Sequence, residues 1–280
     1  MKYFNFHTHT FYCDGHASPQ TFIEEAIRRE MSAIGFSSHS PLPFENSYSI
    51  KADKVQEYKT EIRKLKELYQ DRIKIYLGLE LDYIPGLSDN FHSYRNSLSL
   101  DYTIGSVHLV RDKKEGPLWF LDGPEINYSK GLDQIFKNDI QLAVTKYYTQ
   151  VSEMILTQKP DIIGHIDKVK MYNREKFFSE DEKWYIELAE KTLEVALSAG
   201  SIIEVNTRGI YKKKCDALYP SISLLQKIYQ LNIPITISSD AHAPDELTSY
   251  FPETISILKE IGFKKVKCFN GKEWEDSYLS

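Results

Sequence analysis

Short apolar runs alternate with longer amphipathic stretches along most of the chain. The runs at 3–6, 33–37, 72–81, 102–107, 161–164, 201–205 and 233–237 are too short for helices and rich in β-branched, leucine and aromatic residues, so they predict strands. Between them lie helical patterns. Ser18 and Pro19 supply a cap and a first-turn proline for a helix reaching about residue 30. Residues 53–69 form a polar helix whose buried stripe is Val55, Ile62, Leu65 and Leu68. Further helices are predicted over 87–98, 132–157, 181–199 (stopped by Gly200), 220–231 and 251–261, and a short last strand near 266–269. Residues 111–130 break the rhythm: they are charged, contain Gly and Pro, and carry Trp119 and Phe120. They predict a long loop, of the kind that often serves as a lid.

Strand–helix alternation with strands apolar on both faces points to an α/β fold with a parallel sheet. Seven or eight such units within one domain, residues 1–280, fit a closed β/α barrel. A doubly wound open sheet is the competing architecture, but no glycine-rich fingerprint follows any strand. An apolar fraction of 41% and a charged fraction of 27% are those of an ordinary globular enzyme with a substantial core. The net charge of −5 argues against a nucleic-acid-binding or membrane-binding surface. Three cysteines without pattern suit a reducing cytoplasm. The first residues do not read as a signal segment, no apolar run reaches membrane-spanning length, and no interface stripe argues against a monomer. The 19 tyrosines and 14 phenylalanines read as packing residues.

The histidines change this picture. His7 and His9 follow the first strand and, two apart on extended backbone, point to the same side. Asp14 and His16 lie in the loop beyond. His39 ends the second strand, Glu80 the third, His108 the fourth and His165 the fifth, and Asp240 and His242 follow the seventh. Seven of the eight histidines thus sit at the C-terminal end of a predicted strand, the face of a β/α barrel where active sites form. His92 falls within a helix and reads as a surface residue. A single histidine at a strand end is usually a hydrogen-bonded core residue. Seven at one topological position point instead to a shared ligand. Imidazole and carboxylate donors without thiolate suit Zn, Mn or Fe. The set is too large for one ion, so it implies two or three divalent ions, with the centrally placed Glu80 as bridge. Clustered ions of this kind supply hydroxide at neutral pH and clamp phosphate oxygens, which makes phosphoester hydrolysis the natural reaction.

The motifs HTHxxxxDGH, SxHS, GLE, GSVH, GHID and SSDAH, spread over residues 3–245, resemble the PHP (polymerase and histidinol phosphatase) family. Within it they are most similar to the monofunctional histidinol-phosphate phosphatases. The resemblance implies a distorted (β/α)7 barrel with a trinuclear metal site. It implies that His7, His9, Glu80 and Asp240 bind one ion, and that Glu80, His108 and His165 bind a second. His39, His242 and a first-loop residue would bind the third. Asp14 and His16 both qualify for that last place. His16 is read as the ligand, leaving Asp14 as general acid or outer partner, although a carboxyl beside several cations is a poor proton donor. The implied reaction is hydrolysis of L-histidinol phosphate to L-histidinol and phosphate.

A phosphate monoester also requires cationic donors. Arg208, just after the sixth strand, suits a bidentate grip. Lys170, with Lys168 nearby, lies in the loop leaving the fifth strand, where a solvated loop is the competing reading. Ser106 shares a strand face with His108 and is a candidate phosphate contact. Trp119 either closes over the substrate or anchors its loop. A PHP exonuclease is disfavoured by the acidic charge; a protein-tyrosine phosphatase would need an open pocket. An amidohydrolase barrel would carry a bridging lysine on its fourth strand, and YTIGSVH has none. A non-enzymatic metal-binding protein would not need Arg208 beside the cluster.

Overall fold

The computed structural model describes residues 2–88, 90–113 and 115–279; Asp89 and Lys114, which fall in the expected helix at 87–98 and loop at 111–130, lie outside the described residues. The first half runs β1 (Phe4–Asn5), α1 (Pro19–Arg28), β2 (Ala33–Phe36), α2 (Val55–Leu68), β3 (Lys74–Asp82), α3 (Phe91–Leu98), β4 (Tyr102–Ser106), β5 (Leu109–Arg111) and β6 (Leu118–Phe120). It continues with α4 (Glu125–Phe136), α5 (Ile140–Gln158), β7 (Ile162–Ile163), α6 (Lys183–Ala199), β8 (Ile202–Asn206) and α7 (Arg208–Tyr211). The chain ends with α8 (Ile222–Gln230), β9 (Ile235–Ser238), α9 (Phe251–Ile261), β10 (Lys265–Phe269) and β11 (Trp274–Tyr278).

Strands β1-β2-β3-β4-β7-β8-β9 form one parallel sheet in that order. Its two edges meet just beyond the ends of β1 and β9. There the His9 N–H donates to the Ala241 carbonyl at 2.8 Å and the Ala241 N–H donates to the His7 carbonyl at 3.1 Å. The result is a nearly closed α/β barrel of seven strands, as the alternating pattern predicts.

The barrel interior is layered, aromatic below and ionisable above. Phe6 packs against Tyr76, Tyr102 and Trp274 with ring centroids 5.9, 5.7 and 5.3 Å away. The Tyr102 hydroxyl donates to the Phe6 carbonyl at 2.5 Å, one residue before His7. Gly35 and Gly78 make room for Tyr102, since a Cβ would stand 2.4 Å from its hydroxyl at the first and 2.5 Å from its Cζ at the second. Overfilling such a packed site costs about 1–3 kcal/mol. Above this layer β3 presents Glu80 and Asp82, β4 presents Ser106, β8 presents Glu204 and β9 presents Ser238, all buried.

Several expectations require correction. Leu68 is 66% exposed, and Tyr58 and Tyr69 are buried beside Val55, Ile62 and Leu65. Counting about 100° per residue, Tyr69 continues the stripe and Leu68 does not. The helix placed at 87–98 begins at Phe91, capped by the Asn90 side chain accepting from the His92 N–H. The helix placed at 132–157 is two helices, broken where Lys137 and Asn138 adopt φ of 54° and 63° and restarted by Asp139 accepting from the Leu142 N–H. Residues 111–130 are not one loop: β5 and β6 pair as an antiparallel hairpin and α4 starts at Glu125. The last strand has a partner, β11, that the sequence pattern did not suggest.

Candidate metal centre

Nine side chains converge where the barrel closes. Glu80 is at their centre. Its Oε2 lies 3.2 Å from His7 Nε2, 3.5 Å from His9 Nε2 and 3.1 Å from His39 Nδ1. Its Oε1 lies 3.0 Å from His165 Nε2 and 3.5 Å from His108 Nε2. Asp240 Oδ1 is 3.2 Å from His9 Nε2 and 3.7 Å from His7 Nε2. On the other side of His9, Asp14 Oδ1 is 3.3 Å from His242 Nε2 and 3.9 Å from His39 Nε2. Asp240 reaches the cluster from a left-handed backbone, φ 51°, which aspartate tolerates better than bulkier residues.

The donors group in threes and fours with ligand atoms within 4.8 Å of one another: His7, His9 and Asp240; His39, Glu80 and His108; His9, Asp14, His39 and His242. His165 joins the second group, its Nε2 3.2 Å from His108 Nε2. Two imidazole nitrogens at that distance, each beside Glu80, are poorly served by a single proton. Among the described residues, His7 Nε2, His9 Nε2, Asp14 Oδ1, His39 Nδ1 and His165 Nδ1 are buried without a well-aimed hydrogen bond. Leaving one such atom unpaired costs about 1–3 kcal/mol, and four of them, all but His165 Nδ1, face the cluster, which favours divalent cations in their midst. The donor set fits that reading.

Outer partners fix the rings. Glu204 Oε1 accepts from His7 Nδ1 at 2.5 Å, which turns Nε2 inward toward Glu80 and Asp240, the orientation a metal ligand needs. Asp82 Oδ1 does the same for His108 Nδ1 at 2.6 Å, and the Asp240 carbonyl accepts from His242 Nδ1 at 3.0 Å. Burial, reinforced by His242 and His39, holds His9 well below the usual imidazole range, so it is a neutral donor. Burial would raise Glu80, but His7, His39, His108 and His165 keep it well below the usual carboxylate range. Burial likewise opposes Asp14, and His242, His39 and His9 outweigh it, so Asp14 is ionised.

A cavity of about 380 Å³ opens over the cluster, lined by Asp14, His39, His108, Asp240 and His242 together with Tyr48, Phe120, Asp122, Lys168, Arg208 and Lys214. Arg208 is placed there as the sequence suggests, its Nη1 donating to the Asp240 carbonyl at 2.8 Å. Four other candidates lie elsewhere. The His16 side chain is exposed and outside the donor groups, while its N–H donates to the His242 carbonyl at 2.7 Å; the tight turn at Gly15 directs Asp14 inward instead. Lys170 is buried away from the cavity, 2.8 Å from Asp167 and 3.6 Å from Glu180. Lys168 takes the cavity position. Ser106 donates to Glu80 Oε1 at 2.6 Å and so orients the carboxylate. Trp119 is fully buried, its Nε1 donating to the Tyr128 carbonyl at 2.9 Å, and it anchors the hairpin. Its neighbour Phe120 faces the cavity, stacked on Tyr48 at 5.4 Å.

Glu204 and Asp82 escaped the sequence reading. Asp82 was legible in principle, two residues after Glu80 on the same strand face. Glu204, inside the apolar run SIIEV, had no such companion. His92 is exposed, as expected.

Comparison with known proteins identifies the family and the fold. A histidinol-phosphatase from Bacillus subtilis is 28% identical over 253 residues, covering 84% of this chain and 92% of that protein. A solved chain from Listeria monocytogenes superposes with a TM-score of 0.78 at 21% identity, covering 89% of this chain and 99% of that one. The histidinol phosphate phosphatase of Lactococcus lactis, solved with zinc, L-histidinol and phosphate, superposes with a TM-score of 0.71 at 22% identity, covering 98% of this chain and 99% of that one. The PHP domain family matches residues 5–208, a span that includes His7 through Arg208, and the chain belongs to that family.

Proposed function

We propose that this protein is a metal-dependent phosphomonoesterase that hydrolyses L-histidinol phosphate to L-histidinol and phosphate. The observation that carries the reading is Glu80 standing between two sets of imidazoles beneath a cavity edged by Arg208, Lys168 and Lys214. A dianionic phosphoryl group suits such a place: donors below, three permanent cations at the side. The relatives named for histidinol phosphate narrow the alcohol. The Tyr48–Phe120 pair offers a planar imidazole a surface to stack on.

In this reading three ions are held, of zinc, manganese or iron. His7, His9, Glu80 and Asp240 hold the first, Glu80, His108 and His165 the second, and His39, His242 and Asp14 the third. Asp14 replaces His16 in that role and is not the general acid. When bound, such ions supply Lewis acidity and an activated water at neutral pH. The protein's own work is positioning. Arg208, tethered through Nη1, and Lys168 grip the non-reacting phosphate oxygens. Glu80, fixed by Ser106, and the ring-orienting Glu204 and Asp82 hold their geometry without moving protons. The enzyme is read as a cytoplasmic monomer acting on a small molecule.

The test is kcat/KM for L-histidinol phosphate beside p-nitrophenyl phosphate and phosphotyrosine, on protein of measured metal content. A preference of several orders of magnitude for histidinol phosphate, abolished by chelation, supports the reading. Equal slow hydrolysis of all three would leave the metal chemistry and remove the substrate.

A further inference from the structure

The cavity contains an ion-pair network that holding metal does not require. Asp122, in the turn between β6 and α4, engages two ammonium groups at once. Lys168 Nζ lies 2.7 Å from Oδ2, and Lys214 Nζ lies 2.7 Å from Oδ1. The three residues come from three separate segments: the hairpin insertion, the loop after β7 and the loop after α7. Gly123, at φ 90°, turns the chain so that its own N–H also donates to Asp122 Oδ1, at 2.8 Å. The turn is pinned to the Lys168 loop by the Tyr172 hydroxyl donating to the Gly123 carbonyl, and by the Tyr128 hydroxyl donating to the Val169 carbonyl at 2.8 Å. The Lys168 side chain is only 3% exposed.

This arrangement leaves one surplus positive charge in the cavity wall. Each ammonium has three donors, and the carboxylate takes one from each. A lysine chain free in solvent loses rotamer freedom when it grips a ligand; here that loss is already taken on folding. We infer that Asp122 is a positioning residue: it fixes the Lys168 and Lys214 ammonium groups in the cavity they share with the metal cluster, so that their remaining N–H donors meet the oxygens of the phosphoryl group. The inference rests on the phosphomonoesterase reading above. It assigns the hairpin insertion a second task besides walling the cavity, because Asp122 is its contribution to phosphate affinity.

The experiment compares metal-loaded wild type with Asp122→Asn, using inorganic phosphate as probe in titration calorimetry and as a competitive inhibitor. Asparagine at this position retains size and cannot neutralise two lysines. Loss of two charge-assisted contacts predicts a rise of about tenfold or more in the phosphate Kd, in its Ki and in the substrate KM, with kcat changed by less than about threefold and metal content unchanged. Asp122→Glu should recover part of the affinity. In a Lys168→Met, Lys214→Met background, the same asparagine substitution should raise the phosphate Kd no further. An unchanged or lowered phosphate Kd in Asp122→Asn would overturn the inference, because the carboxylate would then be competing with phosphate for the lysines. An equal rise in both backgrounds would overturn it too. Calorimetry with phosphate tests the clamp even if no phosphomonoester is turned over, so failure of the substrate reading and failure of the clamp are told apart.

Discussion

Glu204→Gln is the substitution whose consequences the structure constrains most tightly. Each carboxylate oxygen of Glu204 serves two donors. Oε1 accepts from His7 Nδ1 at 2.5 Å and from the Ser238 hydroxyl; Oε2 accepts from the His165 N–H at 2.8 Å and from Asn206 Nδ2 at 3.0 Å. Glutamine keeps one acceptor oxygen and puts an NH2 in place of the other. If the NH2 faces His7, that ring must accept at Nδ1 and carry its proton on Nε2, the atom that otherwise points at Glu80 and Asp240. A protonated Nε2 is no ligand, so metal affinity falls by about 10–100-fold, the usual penalty for losing an outer partner. If the NH2 faces His165 instead, a buried backbone N–H that cannot turn away is left unpaired, at about 1–3 kcal/mol. At this chain length that lowers Tm by roughly 2–4 °C per kcal/mol. The variant must take one route, so a loss is expected in metal retention or in Tm. The assay is metal content after dialysis against graded chelator, paired with thermal melts of the metal-free protein. A variant that keeps its metal within about twofold and melts with the wild type would refute the argument that Glu204 sets the His7 tautomer.

Three further outcomes are expected. Asp14→Asn should reduce the metal stoichiometry by one ion while His16→Ala leaves it intact; the reverse pattern by elemental analysis would restore His16 as the ligand. Lys168→Met should raise KM by about tenfold or more, whereas Lys170→Met, which strands Asp167 in the core, should cost about 3–5 kcal/mol of stability with little change in KM of the folded enzyme; denaturant melts beside steady-state kinetics separate the two. Burial opposes the charge on Asp122, yet Lys168 and Lys214 hold its carboxyl well below the usual range. Its folded pKa is therefore depressed, and the stability it contributes is present above the unfolded value of about 3.9 and lost as pH falls through the folded one. The difference in unfolding free energy between wild type and Asp122→Asn should thus be flat from about pH 5 to 8 and shrink below about pH 4; a difference that shrinks near neutrality would contradict this assignment.

The barrel strands were legible because parallel strands buried on both faces leave unbroken apolar runs, and β3, buried from Ile75 through Asp82, is the clearest instance. The convergence of the candidate ligands was legible because they repeat at one topological position. What escaped the pattern was local in origin. The hairpin β5–β6 has strands of three residues, too short for alternation to register. Helix α4 hides behind Gly131, which reads as a breaker, yet a Cβ there would stand 2.3 Å from Trp119 Cδ1, so glycine is required by packing. Lys170 and Lys168 are two residues apart in a short 3₁₀ turn, and nothing in the sequence says which reaches the cavity. The presence of Asp167 three residues before Lys170 was the available hint, since an ion pair at that spacing occupies the lysine.

The position of the metal centre follows from the way the barrel closes. β1 is only two residues long and pairs with β2 alone, so the seam with β9 has no regular ladder of its own. The two backbone bonds between His7, His9 and Ala241 are made beyond the strand ends, on the very segments that carry the ligands. Side chains alternate there: Thr8 turns outward to donate to the Gly35 carbonyl at 2.8 Å, while His7 and His9 turn inward toward Glu80 and Asp240. Ligation across that seam therefore joins the first and last strands of the barrel through side chains where the backbone joins them weakly. The same alternation that lets His-X-His be read from the sequence would make a metal held there part of the barrel's closure, and would couple occupancy of the site to the integrity of the fold.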